Sequence, residues 1–534
     1  MPPYRLIRQC LAPLAVLVAP PAHASVDCSN LNSPSALESI SWEELTSCLD
    51  NRPSIIGDQD ENGLNLVANA LTANFDALAM YYLLYYVQEQ DWESVSTALD
   101  HKGRSLGHIA AETVVDPGVV FALDAHGISM MAEQNSKGGW LDFGSSPLHL
   151  AAAREDGWPV IAALLATGSE QFPDQNDRTP LQVALSKTET VPNALLLADG
   201  SWPEIYRENL GQEVLAPGTD CSSFLTTSFF SAATEAQVAT CVSGGARLDS
   251  VDRNGNSAVH LAARAAHDPW IIDYLLDQTA DPASILSRRN SEGMTPLHLA
   301  AQYSPASDTV AHLLAWGADP DARMNAEDSW LSAERGTTAL HLAARREDEL
   351  REDILLNLLA FGADTMLKTP KDDKNPGGGR TALHLASLYL DPRIEIMLLQ
   401  AQYNQQSLIG DIGRMLQGKS IKVITDDQGR TALHIATSQE NGDSDAVGML
   451  LDYGFSVDAK DDEGSTPLMF AARRLEDAEL LSFMLDQSTD ACVSSSSGVT
   501  IESAIRGNPK LNGEQTDLSG KTVSILAKIK SMCP

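Results

Sequence analysis

The chain is 534 residues long with 37 Lys+Arg against 72 Asp+Glu, a formal net charge of −35. Such a charge repels phosphate, which excludes nucleic acid and anionic membrane as expected partners. It is read either as a means of solubility or as the complement of a basic partner or a divalent cation.

The first residues have the pattern of a targeting segment. Arg5 and Arg8 form a positive region, Leu11–Ala19 a short apolar one, and Ala22-His23-Ala24 a small-x-small cleavage site. The expectation is a signal peptide over 1–24, with the mature chain beginning at Ser25. The product is then expected to be periplasmic or secreted, and no later run is long and apolar enough to span a membrane. Export makes the remaining six cysteines readable as a disulfide framework.

One stretch recurs along the rest of the chain. Gly293–Ala301 reads Gly-Met-Thr-Pro-Leu-His-Leu-Ala-Ala, and Gly336–Ala344, Gly379–Ala386, Gly429–Ala436, Gly464–Ala472, Gly255–Ala263 and Gly144–Ala152 are clear copies. Asn176–Ala184 is weaker, with Asp177 in the glycine place and Gln182 in the histidine place; Gly103–Ala111 and Gly63–Ala70 are weaker again. The chemistry is that of a helix start: Thr295 caps, Pro296 fits the first helical position, and the paired alanines keep one face small. The pattern resembles the ankyrin repeat, whose signature is Thr-Pro-Leu-His-x-Ala at a period near 33 residues. The resemblance implies an all-α-dominated α-solenoid with β-hairpin fingers, and protein binding as its role.

Asp27-Cys28-Ser29 and Asp220-Cys221-Ser222 match, and each is followed by a second cysteine 20 residues on, Cys48 and Cys241, inside a helix-like run. This internal duplication pairs Cys28 with Cys48 and Cys221 with Cys241, and leaves Cys492 to Cys533. Each segment resembles a first repeat that has no outward neighbour and so needs a cross-link. Two such caps imply two tandem arrays, 25–215 and 216–534, the second ending in a closing helix over Lys521–Ser531. There Lys528 and Lys530 suit the helix macrodipole.

Gly429, Gly464 and Gly498 are spaced by 35 and 34 residues, but Gly293, Gly336, Gly379 and Gly429 by 43, 43 and 50. The extra length falls in fingers: Pro320–Arg335, Thr365–Gly378 and about Gln402–Gln428. Insertions gathered on one side either mark a binding face or are tolerated loop growth. Trp330 and Asp328 in the first long finger, Asp372 and Asp373 in the second, and Asp426 and Asp427 at the end of the third are candidate partner contacts.

Arginines recur after the paired alanines. Arg264, Arg345, Arg346, Arg473 and Arg474 either close the helix ends or form a basic stripe that docks a partner's carboxylates. Seven of the 12 histidines occupy the motif place and are assigned to structure; His23, His101, His126, His267 and His312 show no metal-binding spacing. Asp58, Asp60 and Asn62 imitate a calcium loop, but Asn69 stands where an EF-hand needs glutamate, so a turn is expected. Tyr81, Tyr82, Tyr85 and Tyr86 with Trp92 make an aromatic cluster, expected to be partly core and partly exposed.

No nucleophile elbow, phosphate loop or metal-spaced cluster is present, and neither cofactor nor metal is expected. The expected function is a binding scaffold for another exported protein, with an inhibitor or immunity protein that occludes a toxin or enzyme as the alternative. An enzyme with a carboxylate site in the long fingers is the remote third reading. The sequence does not fix oligomeric state.

Overall fold

The computed structural model describes Cys28, Leu31, residues 33–38, 40–88, 92–130, 144–209, 215–325, 336–370, 378–389, 391–407, 421–439, 443–475 and 477–509, Leu511, and residues 515–516, 522–523 and 525–533. The proposed signal segment lies outside the described residues.

Each repeat is a short first helix, a second helix and a tight finger turn. The first helix is set by its cap. At Pro296–Tyr303 the Thr295 hydroxyl accepts from the His298 N–H, while the Thr295 N–H donates to His298 Nδ1 at 3.2 Å. The other ring nitrogen, Nε2, lies 3.2 Å from the Thr337 carbonyl of the next repeat. A carbonyl only accepts, so Nε2 carries the proton and Nδ1 is free to accept. His108, His149, His260, His341, His384 and His434 make the same bridge. Burial is the main force on the rings of His260, His298 and His434, holding them down at about 4.

The finger turns follow one rule. An Asp or Asn carboxyl or amide oxygen accepts two backbone N–H groups, two and four residues on. Asp252 takes Asn254 and Asn256, Asn290 takes Glu292 and Met294, and Asp461 takes Glu463 and Ser465. Asp60 does the same with Asn62 and Leu64, so the calcium-like stretch is a finger turn. Gly293 closes its turn at φ 74°, and Asp177, in the glycine place, adopts φ 58°, a conformation aspartate tolerates better than most residues. Neighbouring fingers are joined by single backbone bonds, such as Ser291 N to Asn254 O at 2.8 Å and Ser496 N to Glu463 O at 2.8 Å. Among the described residues the fingers are turns without a paired ladder; the one two-stranded element joins Gln515–Thr516 to Thr522–Val523 near the C-terminus.

By contact the chain divides into two units, each drawing on repeats from before and after residue 215. The first holds 1–101, 121–128 and 376–534. In it the tyrosine helix, Ala77–Gln88, lies against later helices: Tyr82 Oη donates to Asp445 at 2.6 Å and Tyr81 Oη to Asp452 at 3.1 Å, while Tyr86 Oη donates to Asp50 at 2.9 Å. Tyr81, Tyr82 and Tyr86 are therefore core, with Tyr85 half-buried. The closing helix is Ile525–Met532, with Lys530 in its last turn and Lys528 one turn from its start. The Lys528 ammonium reaches Asp486 at 2.8 Å and the Ser482 carbonyl at 2.8 Å. Cys492 bonds Cys533, with Cα atoms 5.5 Å apart, and Cys28 bonds Cys48 at 5.6 Å.

The second unit holds 102–120 and 129–375. Its own repeats stack through first helices such as Ala258–Ala265, Pro296–Tyr303 and Ala339–Ala344. Its second helices from before residue 215 pack on those from after it: Trp158–Ala166 on Arg351–Ala360, Val191–Leu197 on Asp308–Ala315, and Trp202–Asn209 on Trp270–Asp277. The later helices are met in reverse order, so the two runs of repeats are antiparallel within this unit. Cys221 bonds Cys241, with Cα atoms 5.4 Å apart.

Candidate interaction surface

The motif side chains are used inside the frame, so a surface must come from residues outside the motif. The arginines after the paired alanines divide sharply. Arg346 is buried; its guanidinium donates to Ala301 O at 3.3 Å, to Ser304 O at 3.1 Å and to Asp348. It closes the C-terminal end of the preceding first helix, where carbonyls lack intrahelical partners. The expectation of a partner contact at Arg346 is therefore corrected: its donors are already engaged. Arg154 does the same for Ala111 and Val114, and Asn508 for Ala472 and Leu475.

Arg264, Arg345, Arg473 and Arg474 lie differently. Arg264 is half-buried, with its guanidinium carbon 4.1 Å from the ring centre of Tyr303, which is 41% exposed. A cation over an exposed ring is worth about 0.5–1 kcal/mol, a modest bias toward the stacked arrangement. Arg345, seven residues after its capping Thr338 as Arg264 is after Ser257, is exposed. These three residues belong to the second unit. In the first unit Arg473 and Arg474 are exposed at the end of Pro467–Arg474, and Tyr389 is 38% exposed.

The acidic candidates fare less well. Asp426 is buried at 4% exposure and is a finger-turn acceptor, taking Gln428 N–H, Arg430 N–H and the Arg430 guanidinium at 2.7 Å. Burial pushes its carboxyl up, but the Arg430 bonds and backbone donors outweigh this and hold it below the usual range. Asp426 as a partner contact is corrected on the same ground as Arg346. Asp427 is half-buried against Gly379, and its N–H donates to Gly378 O. Trp330, Asp328, Asp372 and Asp373 lie outside the described residues, as does most of the long fingers in which a carboxylate site was expected.

A network absent from the expectations sits in the second unit. Asp273, with no exposed surface, accepts Trp202 Nε1–H at 2.6 Å, Trp316 Nε1–H at 2.7 Å and the Nδ1 side of His312. Its partners are 39 to 71 residues away in sequence. The only hint in the chain is an aspartate inside the apolar run Trp270–Asp277.

A model of ankyrin repeats in three copies matches residues 231–324 and 407–495, and a single ankyrin-repeat model matches 335–370. The chain is an ankyrin-repeat protein. Its repeats are similar to those of the nuclear factor NF-kappa-B p105 subunit of Gallus gallus, 30% identical over 227 residues, which is 42% of this chain and 19% of that one. The B-cell lymphoma 3 protein of Homo sapiens is 40% identical over 81 residues, 15% of this chain and 17% of the relative. The p105 subunit of Mus musculus is 30% identical over 157 residues, 29% and 14% of the two chains. The match thus spans under a fifth of these relatives' length, and it is a likeness of repeats.

Proposed function

We propose that this ankyrin-repeat protein binds another protein through the ends of its first helices, and that both are exported. The observation that carries the reading is the Arg264–Tyr303 pair. In a frame whose motif histidines, capping hydroxyls and finger aspartates bond internally, this pair leaves a cation and an aromatic ring at the surface on adjacent repeats. Aromatic and arginine side chains are the residue types that anchor interfaces. The net charge of −35 steers a basic protein toward the chain, while Arg264 and Arg345 suit carboxylates on the segment that docks.

Export rests on the signal-like segment and on three disulfides, which persist in oxidising compartments. The division into arrays at 215/216 belongs to the same proposal: the bonds at Cys28–Cys48 and Cys221–Cys241 each span 20 residues and close matching segments.

The test is capture from exported proteins of the source cells, comparing the wild-type chain with Arg264→Glu/Tyr303→Ala and with a Val251→Ala control elsewhere on the surface. A partner retained by the wild type and the control but lost with the double variant supports the reading. Equal capture by all three removes this surface from the account.

A further inference from the structure

A cavity of about 140 Å³ opens in the second unit, walled by Trp158, Trp202 and Trp270. Its polar lining is Asp308 and His312; the remaining lining residues are prolines, leucines and an alanine. We infer that this cavity is a binding site for a quaternary ammonium group, held among the three indoles with Asp308 as counter-charge.

The walls are held rigidly. Trp202 is 1% exposed and anchored by its Nε1–H to Asp273, and its ring centre lies 6.0 Å from that of Trp270 with the planes at 43°. His312 packs edge-on to both, at 5.2 Å from Trp270 and 6.2 Å from Trp202. Its Nδ1 faces Asp273, so the imidazole is fixed in place; among the described residues Nε2 has no protein partner, although the side chain is only 6% exposed. Trp158 and Trp270 are half-buried and give the cavity its opening.

Charge chooses among ligands of this size. Among the described residues no lysine or arginine pairs with Asp308 or with Asp353, whose carboxylate shares the Ser307 hydroxyl with it. Burial raises both carboxyls above their usual range; His312 and the Ser307 hydroxyl act against this at Asp308, while Asp308 adds to the effect on Asp353. The one carboxylate in the lining, Asp308, repels an anion, and the one basic side chain there, His312, has its Nδ1 engaged with Asp273. Trp158, Trp202, Trp270 and Asp308 are each the first residue of a helix, and those positive ends weakly oppose a cation. A desolvated cation gains more at an indole than it loses at a helix end, and three indoles plus a carboxylate outweigh the helix ends. A cavity of roughly 150 Å³ takes up benzene, so a trimethylammonium head fits by volume. An ordinary ammonium would need hydrogen-bond acceptors on several sides, and this lining provides few.

The site is separate from the Arg264–Tyr303 surface, so either reading stands if the other fails. Choline, a peptide carrying trimethyllysine and the neutral isostere 3,3-dimethylbutan-1-ol are each titrated into the full chain, with tryptophan fluorescence and calorimetry as readouts. Saturable binding of choline, or of the trimethylated peptide but not its unmethylated form, is expected, the two arms separating a free ligand from a modified protein. The neutral isostere should bind at least tenfold more weakly, and Asp308→Asn and Trp270→Leu should each weaken the cation at least tenfold. If Trp270→Leu fails to fold, the comparison with the isostere on the wild-type chain decides. No binding of either cation at tens of millimolar, or equal binding of the isostere, overturns the inference.

Discussion

Glu395 should make this protein less stable as pH rises through the neutral range. It lies within the helix Pro392–Ser407 with no exposed surface, at a place where the other second helices carry Leu355, Val310 or Val447. Among the described residues neither carboxyl oxygen completes a hydrogen bond of normal geometry, the nearby Ser387 hydroxyl being placed only to temper the effect of burial. Burial first, then the like charges of Asp443 and Asp391, push the carboxyl from 4.5 to about 8. Between those values the folded chain holds a proton that the unfolded chain has released. The stabilising contribution is full below pH 4.5 and is lost progressively until pH passes about 8, at about 1.4 kcal/mol per pH unit. By pH 7 the accumulated loss is roughly 3 kcal/mol, a large part of an ordinary folding free energy. The perturbation is Glu395→Gln, which has nothing to titrate. Urea midpoints of both chains, measured from pH 5 to 8, should diverge steadily, the wild type losing ground by about a factor of ten in its folding equilibrium per pH unit. The absolute offset depends on burying the amide, so the divergence is the quantity that decides. Parallel profiles would refute the reasoning.

The motif histidines carry the opposite dependence. His260, His298 and His434 are held at about 4 against 6.5 when unfolded, so stability falls as pH drops from 6.5 toward 4. Gln182 and Gln237 make the same cap in their own repeats, so His298→Gln should fold and reduce the acid slope by about one proton; an unchanged slope in urea melts contradicts this. Arg346→Ala should cost about 2–3 kcal/mol by stripping Ala301 and Ser304 of their donor, whereas Arg345→Ala should stay within about 0.5, both read by thermal unfolding. Replacing Cys492 and Cys533 by serine should destabilise by about 4 kcal/mol in the chain-entropy model, and a melt insensitive to reductant would deny the cross-link its role.

The parts legible in the sequence are those whose chemistry is local. Thr295, Pro296 and His298 lie within four residues of one another, and the cap they form needs no knowledge of the rest of the chain. The matching Asp-Cys-Ser segments read the same way, since the second cysteine follows within one repeat. The candidate surface was only partly legible. Arg345 and Arg346 are adjacent in sequence, yet one is exposed and the other buried, because the helix Ala339–Ala344 ends just before them: Arg345 is its C-cap, and Arg346, beyond it, reaches back to Ala301. Asp273 and Glu395 were not legible at all. Each is a single acid in an apolar run, and its meaning comes from groups brought near by the fold: Trp202, His312 and Trp316 for one, Ser387 and Asp443 for the other.

The central claim is that this repeat frame serves to bind a protein at the ends of its first helices. A photo-crosslinking residue placed at Tyr303 tests it most directly, with the same residue at Phe172, also exposed, as the reference position. The account predicts one discrete adduct from position 303, suppressed by Arg264→Glu and absent from position 172. Adducts of equal yield at both positions, or none at 303 in the presence of the exported proteins, would contradict it.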